Sequence, residues 1–319
     1  MKVISVTSGA KGGTGKTTVL LNTAVFHAIL SQEKFRRYVL LVDAEANTGT
    51  ATMLISRELY LKLRKAEEKG LMDYLLNENI DVEDILYVIE FKDLGYAMFL
   101  APFVAPIEIA SKITRLSVKE IYSKMILFID EVTNKVALDA IYIDLPALTF
   151  PHDLALAMFL LSDLIIPVGT PDPACLLSLY STITIIKDYI EPPPQIAPLV
   201  LNKISATNAV EPTTRLHYKA LYRKLLGVPV YEIHEDENIT NARSAGMIEI
   251  LAKSLKYNDT VRTLIKYAQK IASHPIEHRE RKLLSFEKVD AMLKSHTERA
   301  EEAETLLLTL LRSRGRKPL

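Results

Sequence analysis

Lys11-Gly12-Gly13-Thr14-Gly15-Lys16-Thr17-Thr18 decides the reading of this chain. Before it, residues 2–7 (KVISVT) form a short apolar run that predicts a buried strand. After it, residues 17–31 carry a helical period. A glycine-rich turn between a strand and a helix is the context of a phosphate loop. Glycines let the backbone turn tightly, so successive N–H groups can face one anion. The following helix adds its N-terminal dipole and its free N–H groups. Gly12, Gly13, Thr14, Gly15, Lys16, Thr17 and Thr18 are therefore candidate cofactor-binding residues. Lys16 is expected to reach the β- and γ-phosphates, and the Thr17 hydroxyl to bind Mg2+. The full G-x-x-x-x-G-K-T pattern wants glycine at position 10, where this chain has Ala10. The Lys11-Gly12-Gly13 portion is expected to supply the tight turn instead.

Outward from the loop, short apolar runs at 38–42, 97–101, 140–143, 164–168 and 197–201 read as further strands. Most lack polar alternation, which suits a parallel sheet covered on both faces. Segments of helical period at 118–135, 176–190 and 211–226 separate them. The alternation predicts a doubly wound α/β fold with a mostly parallel sheet. Glu191-Pro192-Pro193-Pro194 reads as a stiff connector, because proline fixes φ and cannot continue a helix. His274-Pro275 marks the expected boundary between an ATPase-sized unit, 1–273, and a charged helical C-terminal extension, 274–319. Within that extension Phe286, Leu293, Ala300 and Leu307 recur every seven residues. Val289, His296, Ala303 and Leu310 recur at the offset of a second seam position, which suggests a coiled coil or an amphipathic helix.

The 319 residues are 49% hydrophobic and 24% charged, ordinary globular usage that excludes a wholly disordered chain. Lys and Arg total 39 against 39 Asp and Glu, so any electrostatic partner must be read from local clusters. The single cysteine, Cys175, excludes an intramolecular disulfide framework and a cysteine-based zinc site, and fits a reducing compartment. No signal-peptide pattern opens the chain. The apolar stretch 154–168 is broken by Ser162 and Asp163 and is shorter than the roughly 20 residues a bilayer needs. A soluble, cytoplasmic protein is expected.

The loop resembles the deviant Walker A motif of the ParA/MinD ATPases, with Lys11 as the first lysine of the pair. The resemblance implies a P-loop NTPase fold, ATP and Mg2+ as cofactors, and an ATP-dependent homodimer in which Lys11 reaches the partner's nucleotide. Three further stretches look like elements of that family. Leu40-Leu41-Val42-Asp43-Ala44-Glu45 is similar to the switch I strand end, where the family usually shows D-x-D. It implies Asp43 near Mg2+ and Glu45, one methylene longer than the usual Asp, orienting the attacking water. Tyr142-Ile143-Asp144-Leu145-Pro146-Ala147 looks like the Walker B strand, which implies Asp144 beside Mg2+. Leu199-Val200-Leu201-Asn202 resembles the strand whose terminal Asn meets adenine. Glu235-Asp236-Glu237-Asn238 lies where such proteins also approach the base. Lys11, Lys16 and Glu45 are thus the catalytic candidates, and Thr17, Asp43 and Asp144 the metal ligands. Asn47-Thr48-Gly49-Thr50-Ala51-Thr52 and the segments starting at Gly70 and Asp81 look closer to the ParA branch. The lone cysteine argues against the cluster-insertion ATPases of the superfamily, which want paired cysteines.

Two basic stripes suggest the partner. Arg215, Lys219, Arg223 and Lys224 share a predicted helix, and Arg262, Lys266 and Lys270 recur every fourth residue. Such stripes neutralise phosphates without reading bases. They fit a ParA-type dimer that coats double-stranded DNA nonspecifically, is nucleoid-associated, and answers to a ParB-like centromere-binding protein in plasmid or chromosome partition. The alternative is a MinD-like ATPase cycling on a membrane. Its support is the C-terminal run Leu306–Leu311 followed by Arg312, Arg314, Arg316 and Lys317. The absence of Trp and Phe from these last turns makes a membrane partner the less favoured reading.

Overall fold

The computed structural model describes residues 1–45, 48–77, 79–91, 94–147, 153–205, 212–244, 248, 258–276 and 282–283. In chain order the strands are β1 (Lys2–Thr7), β2 (Tyr38–Asp43), β3 (Tyr87–Phe91), β4 (Tyr96–Pro102), β5 (Leu138–Asp144), β6 (Leu164–Gly169), β7 (Ile190–Glu191), β8 (Gln195–Ile196), β9 (Leu199–Ile204), β10 (Val230–His234) and β11 (Lys282–Leu283). The helices are α1 (Lys16–Phe35), α2 (Thr50–Ile55), α3 (Arg57–Arg64), α4 (Leu71–Leu76), α5 (Ile107–Ala110), α6 (Val118–Lys135), α7 (Asp153–Leu161), α8 (Pro173–Tyr189), α9 (Pro212–Leu226), α10 (Glu237–Ser244) and α11 (Asp259–Ala272).

The main sheet runs β10-β9-β6-β1-β5-β2-β4-β3, with β8 paired to the start of β6. Every neighbouring pair is parallel except β3–β4. The expected doubly wound, mostly parallel α/β fold is therefore present. Alternation along the strands divides the core into two. Leu40, Val42, Ile141 and Ile143 pack toward α4, α6, α7, α8 and α9. Val39, Leu41, Ala140 and Tyr142 pack toward α1, α3 and α11. β1, β2, β5 and β6 are buried along almost their whole length, which is why they read as unbroken apolar runs.

The two edge strands of the main sheet were not expected. β3 alternates half-buried and exposed residues, because it closes one edge of the sheet with one face toward solvent. β10 closes the other edge. The run at 154–168 divides into α7 and β6. All of α7 after Asp153 is buried, so the helix is apolar on every side without facing lipid. Among the described residues no helix is long and apolar enough to cross a membrane.

Local signals set the helix starts. Ser117 and Glu120 form a reciprocal capping box at α6. Asp172 caps α8, with Pro173 at its first position. Of the extension expected from residue 274, residues 274–276 and β11 are described, and β11 pairs antiparallel with β7. The heptad positions from Phe286 to Leu310 and the basic tip after Leu311 lie outside the described residues.

Candidate nucleotide site

In an open parallel sheet, ligands bind outside the carboxyl ends of the strands, where the strand order reverses. Here β1 is central, flanked by β5 and β6, and its carboxyl end feeds the loop from Ser8 to Gly15. β2 ends at Asp43, β5 at Asp144, and β9 passes through Asn202. Parallel pairing sets Asp43 level with Asp144 on adjacent strands. The fold thus gathers Lys16, Thr17, Asp43, Asp144 and Asn202, which the sequence singled out from four separate stretches.

The loop is braced by its own chain. Ser8 Oγ donates to the Lys11 carbonyl at 2.7 Å, and the Ala10 N–H donates to Ser178 Oγ at 2.7 Å. The left-handed residue ahead of the Lys-Gly-Gly turn is Gly9, at φ 63°. A β-carbon there would stand 2.4 Å from Ser178 Oγ. Ala10 does not adopt a positive φ, so the departure from the full motif costs no backbone strain. Gly15 caps α1 at φ 93°, a conformation that favours glycine.

Lys16 is buried, and burial holds its ammonium below the ordinary lysine range despite the nearby Asp144 and Glu45. Asp43 and Asp144 are fully buried. Burial pushes both carboxyls upward, and for Asp144 the Asp43 charge pushes further the same way. Asp43 has compensation: Thr52 donates to its Oδ2 from both N–H (2.7 Å) and hydroxyl (2.6 Å). Asp144 has less: its oxygens make no hydrogen bond of good geometry among the described residues, and only the Thr17 hydroxyl and the Lys16 ammonium beside it favour its charge. Two buried acids next to a threonine hydroxyl at a helix N-terminus form a hard oxygen donor set that fits a divalent cation.

Glu45 lies near this centre, its charge felt by Lys16, Asp43 and Asp144, but its carboxylate is engaged elsewhere. Its Oε2 accepts from the Thr50 N–H at 3.2 Å and from the Thr50 hydroxyl at 2.5 Å, at the start of α2. Asn202 donates its amide to the Thr14 carbonyl at 2.8 Å, bracing the loop. The same amide borders a cleft with Thr18, Lys203, Glu235, Asp236 and Thr260. Glu235 and Asp236 thus line the same cleft as Asn202.

Lys11 lies outside the cradle. Its Nζ stands 3.8 Å from Asp172 Oδ1, and its side chain is 46% exposed. Sequence reading missed Asp172 as a partner for Lys11, Ser178 as a brace, and the Thr50 and Thr52 contacts. Asp172-Pro173 is legible as a helix start. Its closeness to Lys11, 161 positions earlier, is a product of the fold alone.

A family model described as an AAA domain matches residues 1–196. The chain belongs to that family. No curated protein matches it. Among solved structures, MinD in the MinC:MinD complex of Aquifex aeolicus is similar at 18% identity and TM-score 0.65, over 88% of this chain and 99% of that one. Pyrococcus horikoshii MinD complexed with Mg-ADP is similar at 23% identity and TM-score 0.63, over 85% and 96%. A putative plasmid partition protein of Borrelia burgdorferi bound to AMPPNP is similar at 17% identity and TM-score 0.61, over 85% and 99%. At these identities the likeness establishes the fold. Mg-ADP and AMPPNP are thus bound in two of these neighbours. MinD and partition proteins match comparably, so fold does not separate the branches.

The basic stripes of this ATPase lie apart. α9 packs on one face of the sheet through Leu221, Tyr222 and Leu226, and α11 on the other through Leu264, Tyr267 and Ile271. Lys219 pairs with Glu232 at 3.3 Å, and Arg262 with Asp259 at 3.3 Å. Arg223, Lys224, Lys266 and Lys270 are exposed. The Arg215 side chain lies outside the described residues.

Proposed function

We propose that the protein is an Mg-ATP-dependent dimerising ATPase of the ParA type, which coats DNA nonspecifically in its ATP state and serves plasmid or chromosome partition. The observation that carries the reading is the position of Lys11. It sits on the nucleotide loop, yet outside the cradle formed by its own Lys16, free to serve a nucleotide held by a second copy. Thr17, Asp43 and Asp144 would hold Mg2+, which when bound neutralises phosphate charge. Lys16 and Lys11 add fixed positive charge where it develops during phosphoryl transfer. Asn202 and the Glu235-Asp236 rim would receive the base. Glu45 would orient the attacking water after releasing Thr50.

DNA binding is supported by the exposed Arg223 and Lys224 on α9; Lys266 and Lys270, also exposed, belong to α11 on the opposite face of the sheet. A ParB-like partner bound at a centromere site would stimulate turnover, and the protein would be cytoplasmic and nucleoid-associated. Binding to a random-sequence duplex, followed by anisotropy at one fixed moderate salt concentration, tests the reading. Tight binding with Mg-ATP and weak binding with Mg-ADP is expected. No binding with either nucleotide overturns it. The Leu306–Leu311 run with its basic tip would then favour the lipid-binding alternative, and liposome sedimentation would follow.

A further inference from the structure

We propose that Asp172 is a positioning residue for Lys11, held in its working orientation by Thr170 and Tyr222. The proposal rests on the reading that Lys11 acts on a nucleotide held by a second copy.

Asp172 is fixed from three sides. Its Oδ1 accepts from the Cys175 N–H at 2.8 Å, the cap of α8. Its Oδ2 accepts from the Thr170 hydroxyl. Its own N–H donates to the Thr170 carbonyl at 2.8 Å. That carbonyl also accepts from the Tyr222 hydroxyl at 2.9 Å. Tyr222 is fully buried, and its ring fills the space beside Gly169, where a β-carbon would meet it at 2.6 Å. The tyrosine thus bolts α9 to the end of β6, and the bolt sets the turn that aims Asp172.

The geometry does more than cap a helix. The carboxylate turns Oδ1 toward the Lys11 ammonium, on a loop that Ser8 and Ser178 already hold. An ammonium has three donors. At 3.8 Å the ammonium is held by charge rather than by a hydrogen bond, so its donors stay open to the oxygens of an incoming phosphate. The carboxylate behind it restricts a long, flexible side chain before the phosphate arrives, so less rotamer freedom is lost on association. Both partners are partly exposed, so the contact is weak by itself and acts through orientation.

The test exploits a difference between capping and charge. Asn caps a helix about as well as Asp. Asp172→Asn therefore keeps α8 and removes the carboxylate charge. Light scattering across a concentration series of the full chain with Mg-ATP gives the dimerisation midpoint. A fluorescent ATP analogue gives the affinity of the monomer, and thermal unfolding checks the fold. Asp172→Asn should keep monomer affinity and Tm while raising the midpoint about tenfold, since a two-fold dimer contains the contact twice. Thr170→Val should shift it the same way, and Thr170→Ser, which keeps the hydroxyl, should restore it. In a Lys11→Ala background Asp172→Asn should add nothing. A wild-type or lower midpoint for Asp172→Asn, beside a failing Lys11→Ala, reduces Asp172 to a helix cap and overturns the proposal. Additive effects in the double variant overturn it too. Normal dimerisation by Lys11→Ala overturns the underlying reading of Lys11 instead.

Discussion

The side-chain amide of Asn202 stands where a β-carbon on Gly15 would be. Its Nδ2 lies 2.2 Å from that position and donates to the Thr14 carbonyl at 2.8 Å. The last glycine of the loop is thus required twice, by its left-handed φ of 93° and by the residue that braces it. Gly15→Ala should cost about 1–2 kcal/mol in backbone strain alone and displace Asn202, weakening nucleotide binding by more than about tenfold. Asn202→Ala leaves the Thr14 carbonyl without its partner and should weaken binding less, by about 1 kcal/mol. Titration with a fluorescent ATP analogue measures both. Wild-type affinity in Gly15→Ala would contradict the steric argument.

Asp144 is buried, and burial together with the Asp43 charge outweighs the help of the Thr17 hydroxyl and the Lys16 ammonium. A buried carboxyl so placed destabilises the protein until a divalent cation joins it. Asp144→Asn should therefore raise the Tm of the nucleotide-free, metal-free protein, by about 2 °C for each kcal/mol relieved. The same variant should lose the stabilisation that Mg-ATP gives the wild type. Thermal unfolding with and without Mg-ATP decides it. An unchanged apo Tm together with intact Mg-ATP stabilisation would remove Asp144 from the metal site.

Glu45 holds the start of α2 through Thr50, close enough to Lys16 for its charge to be felt there. Glu45→Gln keeps an acceptor for Thr50 and removes the charge. If Glu45 swings out to orient water, turnover should fall by about a hundredfold or more, while ATP-dependent dimerisation persists. Phosphate release from a preformed dimer is the readout. Turnover within a factor of about three of wild type would leave Glu45 a helix cap only.

A buried polar cluster ties α1 to β5 at the end of α1 remote from the loop. His27 Nε2 lies 3.1 Å from Asp139 Oδ2 and Nδ1 lies 2.9 Å from the Tyr142 hydroxyl, and Ser31 donates to Asp139 at 2.7 Å. The His27 hydrogen bond, aided by Ser31, holds the Asp139 carboxyl well below the usual carboxylate range. An acid depressed by folding stabilises the protein above its unfolded pKa of about 3.9 and loses that contribution as pH falls below it. Wild type should therefore exceed Asp139→Asn in unfolding free energy by about 1 kcal/mol at pH 6, a value reduced for partial solvent screening. The gap should shrink progressively as pH falls toward the folded pKa, which lies well below the usual range, so that at about pH 2 it is clearly smaller than at pH 6. Urea melts at the two pH values test this. A gap that stays constant would assign the difference to packing.

The loop, the switch acids and most strands were legible because each is a local pattern. A continuous apolar run ending in Asp43 or Asp144 needs no partner to be recognised. Long-range contacts were not legible. Nothing in Asp172-Pro173 beyond a helix start announces Lys11, and nothing in Thr50 announces Glu45. The edge strand β3 was missed because its half-exposed alternation is weaker than a buried run. The two basic stripes were legible as two, but not their placement on opposite faces, since sequence spacing carries no information about which side of the sheet a helix takes.

That separation gives the sharpest prediction about the partner. A straight duplex lying on one face of the sheet meets α9 or α11 of a given subunit, not both. α9 also carries Tyr222, whose hydroxyl reaches the Thr170 turn beside Lys11, so contact there is linked to the nucleotide state. Arg223→Glu with Lys224→Glu should weaken ATP-state DNA binding by more than about tenfold and lower the salt slope by about 2, one unit for each phosphate no longer neutralised. Lys266→Glu with Lys270→Glu should change binding less than about twofold. Neither pair touches the loop, so ATP affinity should stay at the wild-type value in both. Anisotropy over a salt series separates the outcomes. Equal losses from the two pairs would mean that the duplex wraps both faces of the sheet, and the single-face geometry would be wrong.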